Sequence, residues 1–145
     1  MPAPGSDVSD ILHASCVAHH GRGVLILGAA GRGKSALALD LMSRGAELVA
    51  DDRVIVTRRG ETLVASCPPA ISGRIEARFV GILAARPAPP VPLALVVDLD
   101  REEPERLPPR RATNLLGLPL PLVHNAGMPH LPAAILQYLL AGRTD

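Results

Sequence analysis

Short aliphatic runs, each closed by glycine or by acid, divide this chain into strand-sized pieces. Residues 23–27 are continuously apolar after a leading glycine, which predicts a buried strand. Residues 47–50 form a second run, followed at once by Asp51 and Asp52. Residues 93–97 form a third, closed by Asp98. Upstream, residues 11–19 read as one strand of mixed pattern. The period changes at Lys34: Leu37 pairs with Leu41 and Ala38 with Met42 at helical spacing, and Gly45 is placed to stop that helix. Residues 54–58 and 62–66 flank a polar turn and predict a hairpin. Residues 71–82 fit neither period. Residues 86–92 read as an extended proline-rich bridge, and residues 101–111 as a polar loop. Pro132 opens a last helix that runs to Leu140 and stops at Gly142. Mixed strand and helix patterns without an internal repeat predict an α/β domain. The expected layout is a flexible segment over residues 1–10 and one domain over residues 11–142.

Composition narrows the chemistry. At 145 residues the chain suits one domain with its own core. Phe79 and Tyr138 are the only aromatics, so that core must be aliphatic. A net charge of +1 and the lack of a stacking platform argue against nucleic acid as a partner. Arg58–Arg59 and Arg110–Arg111 read as solvated faces. No apolar stretch approaches a membrane span, and residues 1–10 lack the pattern of a signal peptide. Cys16 and Cys67 have no metal-ligand spacing and read as small hydrophobes in a reducing cytoplasm.

One motif carries strong chemical information. Gly28-Ala29-Ala30-Gly31-Arg32-Gly33-Lys34-Ser35 satisfies the Walker A pattern at every fixed position. By composition such a match arises by chance in roughly one window in 10⁴–10⁵. A strand is expected before it and a helix after it, as a phosphate cradle requires. Glycines let successive N–H groups turn inward, and the helix N-terminus adds positive field. Lys34 supplies a point charge for the outer phosphates, and the Ser35 hydroxyl is a magnesium donor. The role of Arg32 is not set by spacing.

Transfer of a phosphoryl group also needs an acid that orients or deprotonates the acceptor. Two strand ends offer one: Asp51–Asp52 and Asp98. Adjacent carboxylates at a strand end point to opposite sides, so Asp51 and Asp52 should do different work. Pattern alone does not choose between the two ends.

The Walker A loop, the Val-Ala-Asp-Asp-Arg-Val that follows it, and the Ile-Glu-Ala-Arg-Phe-Val-Gly-Ile segment come in an order that resembles the catalytic domain of HPr kinase/phosphorylase. The resemblance covers residues 13–140. It implies a P-loop domain of the phosphoenolpyruvate carboxykinase-like type, with a mixed sheet flanked by helices. It further implies ATP and Mg²⁺ as cofactors, a seryl residue of the phosphocarrier HPr as acceptor, and a hexameric assembly. By position, Asp52 matches the proton acceptor and His13 the active-site histidine. Lys34 matches the phosphate-binding lysine and Arg106 the catalytic arginine. Ser35 and Glu76 match the magnesium ligands.

The sequence departs from the family pattern in three places. Ala36 follows the P-loop serine where glutamate is usual, and Phe79 replaces the signature glycine. Residues 121–130 lack the arginine of the stretch linked to dephosphorylation. The resemblance therefore implies the kinase half rather than the phosphorylase half. Two other readings stand beside it. A small-molecule kinase would need a lid, for which only residues 102–111 offer arginines. A nucleotide-sensing module would keep the cradle without turnover.

Overall fold

The computed structural model describes residues 7–145. The chain runs β1 (Val8–Leu12), β2 (Ser15–His19), β3 (Arg22–Leu27), α1 (Lys34–Ser43), β4 (Glu47–Ala50), β5 (Val54–Arg59) and β6 (Thr62–Ser66). It continues through β7 (Arg74–Ala77), β8 (Gly81–Ala84), β9 (Val91–Glu102), β10 (Arg111–Leu115), β11 (Leu118–Asn125) and α2 (Leu131–Ala141). Most of the flexible segment expected over residues 1–10 lies outside the described residues. Its end, from Val8, is strand, so regular structure begins earlier than Ile11.

The single strand expected over residues 11–19 is two strands. β1 pairs antiparallel with β5, whereas β2 sits between β3 and β4. The mixed pattern has this cause: β1 is an exposed edge, and β2 is buried along nearly its whole length. The chain breaks at His13, and Ala14 N–H donates to the carbonyl of Asp52 at 3.3 Å.

Among the described residues, nine strands form one mixed sheet in the order β1-β5-β6-β9-β3-β2-β4, with β11 also on β9 and β10 on β11. The long β9 is its spine. It starts antiparallel to β6 at Val91 and Pro92, then runs parallel to β3 on one side and to β11 on the other. The expected loop over residues 101–111 is therefore shorter, because β9 reaches Glu102. β10 and β11 were not legible because Pro119 and Pro121 interrupt the pattern. Two residues apart, both prolines lack donors on the same strand edge, and pairing with β9 begins only after them at Leu122.

Alternation along β3 and β9 divides the core. Val24, Ile26, Leu95 and Val97 face one side, where they pack with Leu37, Leu41, Ile135 and Leu139 of the two helices. Leu25 and Val96 face the other, where Val54, Val56, Leu63, Leu118 and Leu120 close over them. Strands buried on both faces read as unbroken apolar runs, which is why residues 23–27 and 93–97 were recognisable. Each fully enclosed leucine or isoleucine here contributes about 1.5–3 kcal/mol of burial. Cys16 is part of this core, and burial pushes its thiol pKa well up. Among the described residues, no helix is long and apolar enough to cross a membrane.

The two helices follow their sequence signals. α1 ends with Gly45 at φ 106°, whose N–H donates to Met42 O at 3.0 Å. α2 has Pro132 in its first turn and closes with Gly142 N–H on Tyr138 O at 2.8 Å. The ambiguous residues 71–82 fold as most of a separate hairpin, β7–β8, in which Ile75 and Ala77 are buried while Glu76 and Arg78 face out.

Candidate active site

The glycine-rich loop connects the C-terminal end of β3 to the first turn of α1. Gly31 and Gly33 have φ of 83° and 95°, a region closed to most side chains. A Cβ at either would meet nothing within 4 Å. Glycine is thus required there by backbone shape, and the space beside it is open. Gly33 is the N-cap of α1 and provides no side-chain cap, so no capping side chain competes for the amides of the first turn. Lys34 reaches back across the loop, its Nζ donating to the carbonyl of Gly28.

A cleft of about 280 Å³ opens beside this loop. Ala30, Gly31, Gly33, Lys34 and Ser35 line its loop side, and Asp52, Glu76 and Arg78 are also on its walls. Lys34 and Arg78 therefore bring positive charge to the same space as the carboxylates of Asp52 and Glu76.

Behind the cleft sits a buried carboxylate. Asp51 is 7% exposed. Its Oδ1 accepts hydrogen bonds from Ser35 Oγ at 2.7 Å and from the buried Ser15 Oγ at 2.8 Å. Its Oδ2 accepts from the backbone N–H of Glu76 at 3.1 Å. One side chain at the end of β4 thereby joins β2, the first turn of α1 and β7. Three donors satisfy a charge that would otherwise be expensive to bury. Asp52 turns the other way, with φ 71°, and is exposed to the cleft. The two carboxylates diverge beyond the end of β4, where the left-handed backbone of Asp52 turns its side chain to the cleft.

The other strand end is built differently. Asp98 Oδ1 accepts the N–H of Asp100 at 2.9 Å, and neither residue lines the cleft. The structure thus brings the Asp51–Asp52 end, not Asp98, to the cleft beside the glycine-rich loop.

Five expected site residues lie apart from the cleft walls: His13, Arg106, Arg32, Gly28 and Ala29. His13 is exposed between β1 and β2 and does not line it. Arg106 is exposed on the β9–β10 connection and does not line it either. Within the loop, Arg32 points elsewhere, pairing with Asp100 at 3.3 Å, and its N–H is spent on Ala29 O at 3.1 Å. Gly28 and Ala29 form the stem of the loop rather than the cleft wall. Ser15, Arg78 and Asp100 were not singled out from sequence, and Asp51 had no assigned task. For Asp51 the signal was an acid directly after an apolar run, and Asp100 stands two residues beyond Asp98, which closes another; for Ser15 there was none.

Comparison with known proteins places this geometry. Residues 7–88 match the family model of the HPr Serine kinase C-terminal domain, which is more than half of the chain. The chain belongs to that family. The HPr kinase/phosphorylase of Chlorobaculum tepidum is 41% identical over 125 residues, covering 77% of this chain and 36% of that protein. The one from Cupriavidus metallidurans is 41% identical over 115 residues, covering 71% and 36%. That of Chlorobium phaeobacteroides is 46% identical over 77 residues, covering 52% and 23%. The chain thus spans about a quarter to a third of these curated relatives. The solved structure of the Hpr(Ser) kinase/phosphatase from Coxiella burnetii superposes with a TM-score of 0.73 at 28% identity, covering 90% of this chain and 93% of that one. The HPr kinase fold is thereby established: an α/β P-loop domain of the phosphoenolpyruvate carboxykinase-like type, with its mixed sheet and two helices.

Proposed function

We propose that this chain is an ATP-dependent protein-serine kinase domain that phosphorylates a seryl residue of HPr. The observation that carries this reading is the placement of Asp52 on the same cleft as Lys34 and Ser35. A carboxylate there can accept the proton of a seryl hydroxyl as its oxygen bonds to the γ-phosphorus. The bond from that phosphorus to the β–γ bridging oxygen breaks, ADP leaves, and the proton ends on Asp52. Lys34, with the backbone N–H groups at the start of α1, holds the phosphates and offsets charge as it develops. Arg78 adds a second cation to the same walls.

Magnesium fits the donors present. Ser35 Oγ and the Glu76 carboxylate are hard oxygen ligands that share the cleft, and magnesium is commonly held by few protein oxygens together with phosphate. Among the described residues, no group of three His, Cys, Asp or Glu side chains forms a metal cage. When bound, the ion would neutralise charge on the transferring group. Asp51 keeps Ser35 oriented through its hydrogen bond.

The proposal covers the kinase direction; residues 121–130 lack the arginine that the resemblance links to dephosphorylation. A cytoplasmic location and a homo-oligomer, hexameric by resemblance, belong to the same proposal. The test is transfer of radiolabelled γ-phosphate from ATP to purified HPr, with and without Mg²⁺, beside HPr whose acceptor serine is alanine. Labelling of wild-type HPr alone supports the kinase. A second reading, a nucleotide-sensing module, is favoured by the position of His13 and Arg106 off the cleft walls. Tight ATP binding without labelling of any HPr would select it.

A further inference from the structure

The phosphate loop is held from outside the cleft as well as from within. Ala29 N–H donates to both carboxylate oxygens of Asp100, each at 3.0 Å. The same carboxylate pairs with Arg32 Nε at 3.3 Å. Asp100 is itself set by its N–H bond to Asp98 Oδ1 at 2.9 Å, on the strand that runs parallel to β3. Contact between the loop stem and the tip of β9 is close. A Cβ at Gly28 would stand 3.3 Å from Cβ of both Arg32 and Leu99, and 3.7 Å from Asp100 Oδ1. Ala29, Arg32 and Asp100 are all absent from the cleft walls.

We infer that Asp100 is a positioning residue: it braces the glycine-rich loop in its phosphate-ready shape and draws the Arg32 side chain out of the cleft. The inference rests on the reading that this loop binds the phosphates of a nucleotide. A loop with three glycines loses much conformational freedom when it closes on a ligand. Two fixed contacts on its stem remove part of that freedom before the ligand arrives, so less is lost on binding. A charged acceptor makes the Ala29 hydrogen bond stronger than a neutral one would. The Arg32–Asp100 pair is half exposed and adds less.

The variants Asp100→Ala, Asp100→Asn and Arg32→Ala test this. Hydrogen exchange at residues 28–33 is followed in the nucleotide-free protein, and Mg-ATP affinity by titration calorimetry. Asp100→Ala should exchange faster in the loop and nowhere else, and should weaken Mg-ATP binding about tenfold. Asp100→Asn keeps an acceptor for Ala29 N–H and should fall between Asp100→Ala and wild type. Arg32→Ala should lie within about threefold of wild type. In phosphoryl transfer, KM for ATP should rise while kcat holds. Unchanged loop exchange in Asp100→Ala, or unchanged ATP affinity despite faster exchange, overturns the inference. So does a fall in kcat that matches the rise in KM. If wild type binds no Mg-ATP while Asp100→Ala still loosens the loop, the brace stands and the nucleotide reading fails.

Discussion

Asp51 accepts a hydrogen bond of 2.7 Å from Ser35, so a buried carboxylate at the end of β4 fixes the last residue of the Walker A motif. The same carboxylate holds Ser15 and the Glu76 N–H. Asp51→Ala removes the acceptor from three donors at once. Stability should fall by about 2–4 kcal/mol, the range for unsatisfied buried polar groups and broken buried networks. Asp51→Asn should be milder but still destabilising, since its amide would leave one of the three donors facing another donor. Urea unfolding monitored by circular dichroism reads both, and wild-type stability in the alanine variant would remove this role for Asp51.

Asp52 allows a cleaner separation of chemistry from folding. Its φ of 71° lies in the left-handed region, which asparagine also tolerates well. Asp52→Asn should therefore unfold within about 0.5 kcal/mol of wild type. Phosphate transfer to HPr should drop about 10²–10⁴-fold, the usual contribution of a general base, while ATP affinity stays within a few-fold. Retained transfer would show that the proton goes elsewhere.

Phe79 stands fully exposed at φ 67°, at the turn of the β7–β8 hairpin. A bulky side chain is strained in that region, by about 1–2 kcal/mol, whereas glycine is not. Glycine loses somewhat more chain entropy on folding, which offsets about half of the gain. Phe79→Gly should raise stability by about 0.5–1 kcal/mol, read as a higher Tm in calorimetry. A lower Tm would mean that the phenyl ring makes a contact worth more than the strain.

Acid sensitivity should trace to an ion pair away from the cleft. Arg111 grips Glu103 through two hydrogen bonds, at 2.9 and 3.0 Å, with His124 close by. The Arg111 hydrogen bond holds the Glu103 carboxyl below the usual glutamate value. A depressed pKa in the folded state means this pair adds stability above the unfolded value, about 4.3, and loses it as pH falls through the folded value. Glu103→Gln should therefore flatten the dependence of stability on pH below about 4.3 and lower stability at neutral pH. Unfolding curves at pH 3 to 7 would reveal an unaltered slope if the pair does not matter.

Much of the sheet was legible because both of its faces are covered. Continuous apolar runs at residues 23–27, 47–50 and 93–97 became β3, β4 and the middle of β9. The polar turn at residues 59–61 gave the β5–β6 hairpin, and glycine and proline marked the ends of both helices. β10 and β11 escaped because proline masks a strand whose one edge needs no donor. The β7–β8 hairpin escaped because Phe79, a residue poor in left-handed turns, occupies its turn.

Local pattern was enough to specify the glycine-rich loop and its flanking strand and helix, because the backbone shape at Gly31 and Gly33 and the reach of Lys34 to Gly28 depend on residues close in sequence. It also led to the expectation that Asp51 and Asp52 diverge, although the structure achieves this through the left-handed backbone of Asp52 just past β4 rather than by alternation along a strand. Which acid meets the cleft was decided by tertiary structure: the end of β4 brings Asp52 to it, whereas the acids of β9 contact the loop from outside. Hydrogen bonds between residues far apart in the chain, such as Ser15 with Asp51 and Ala29 with Asp100, have no signature in spacing. They exist only once the sheet has brought the strand ends together.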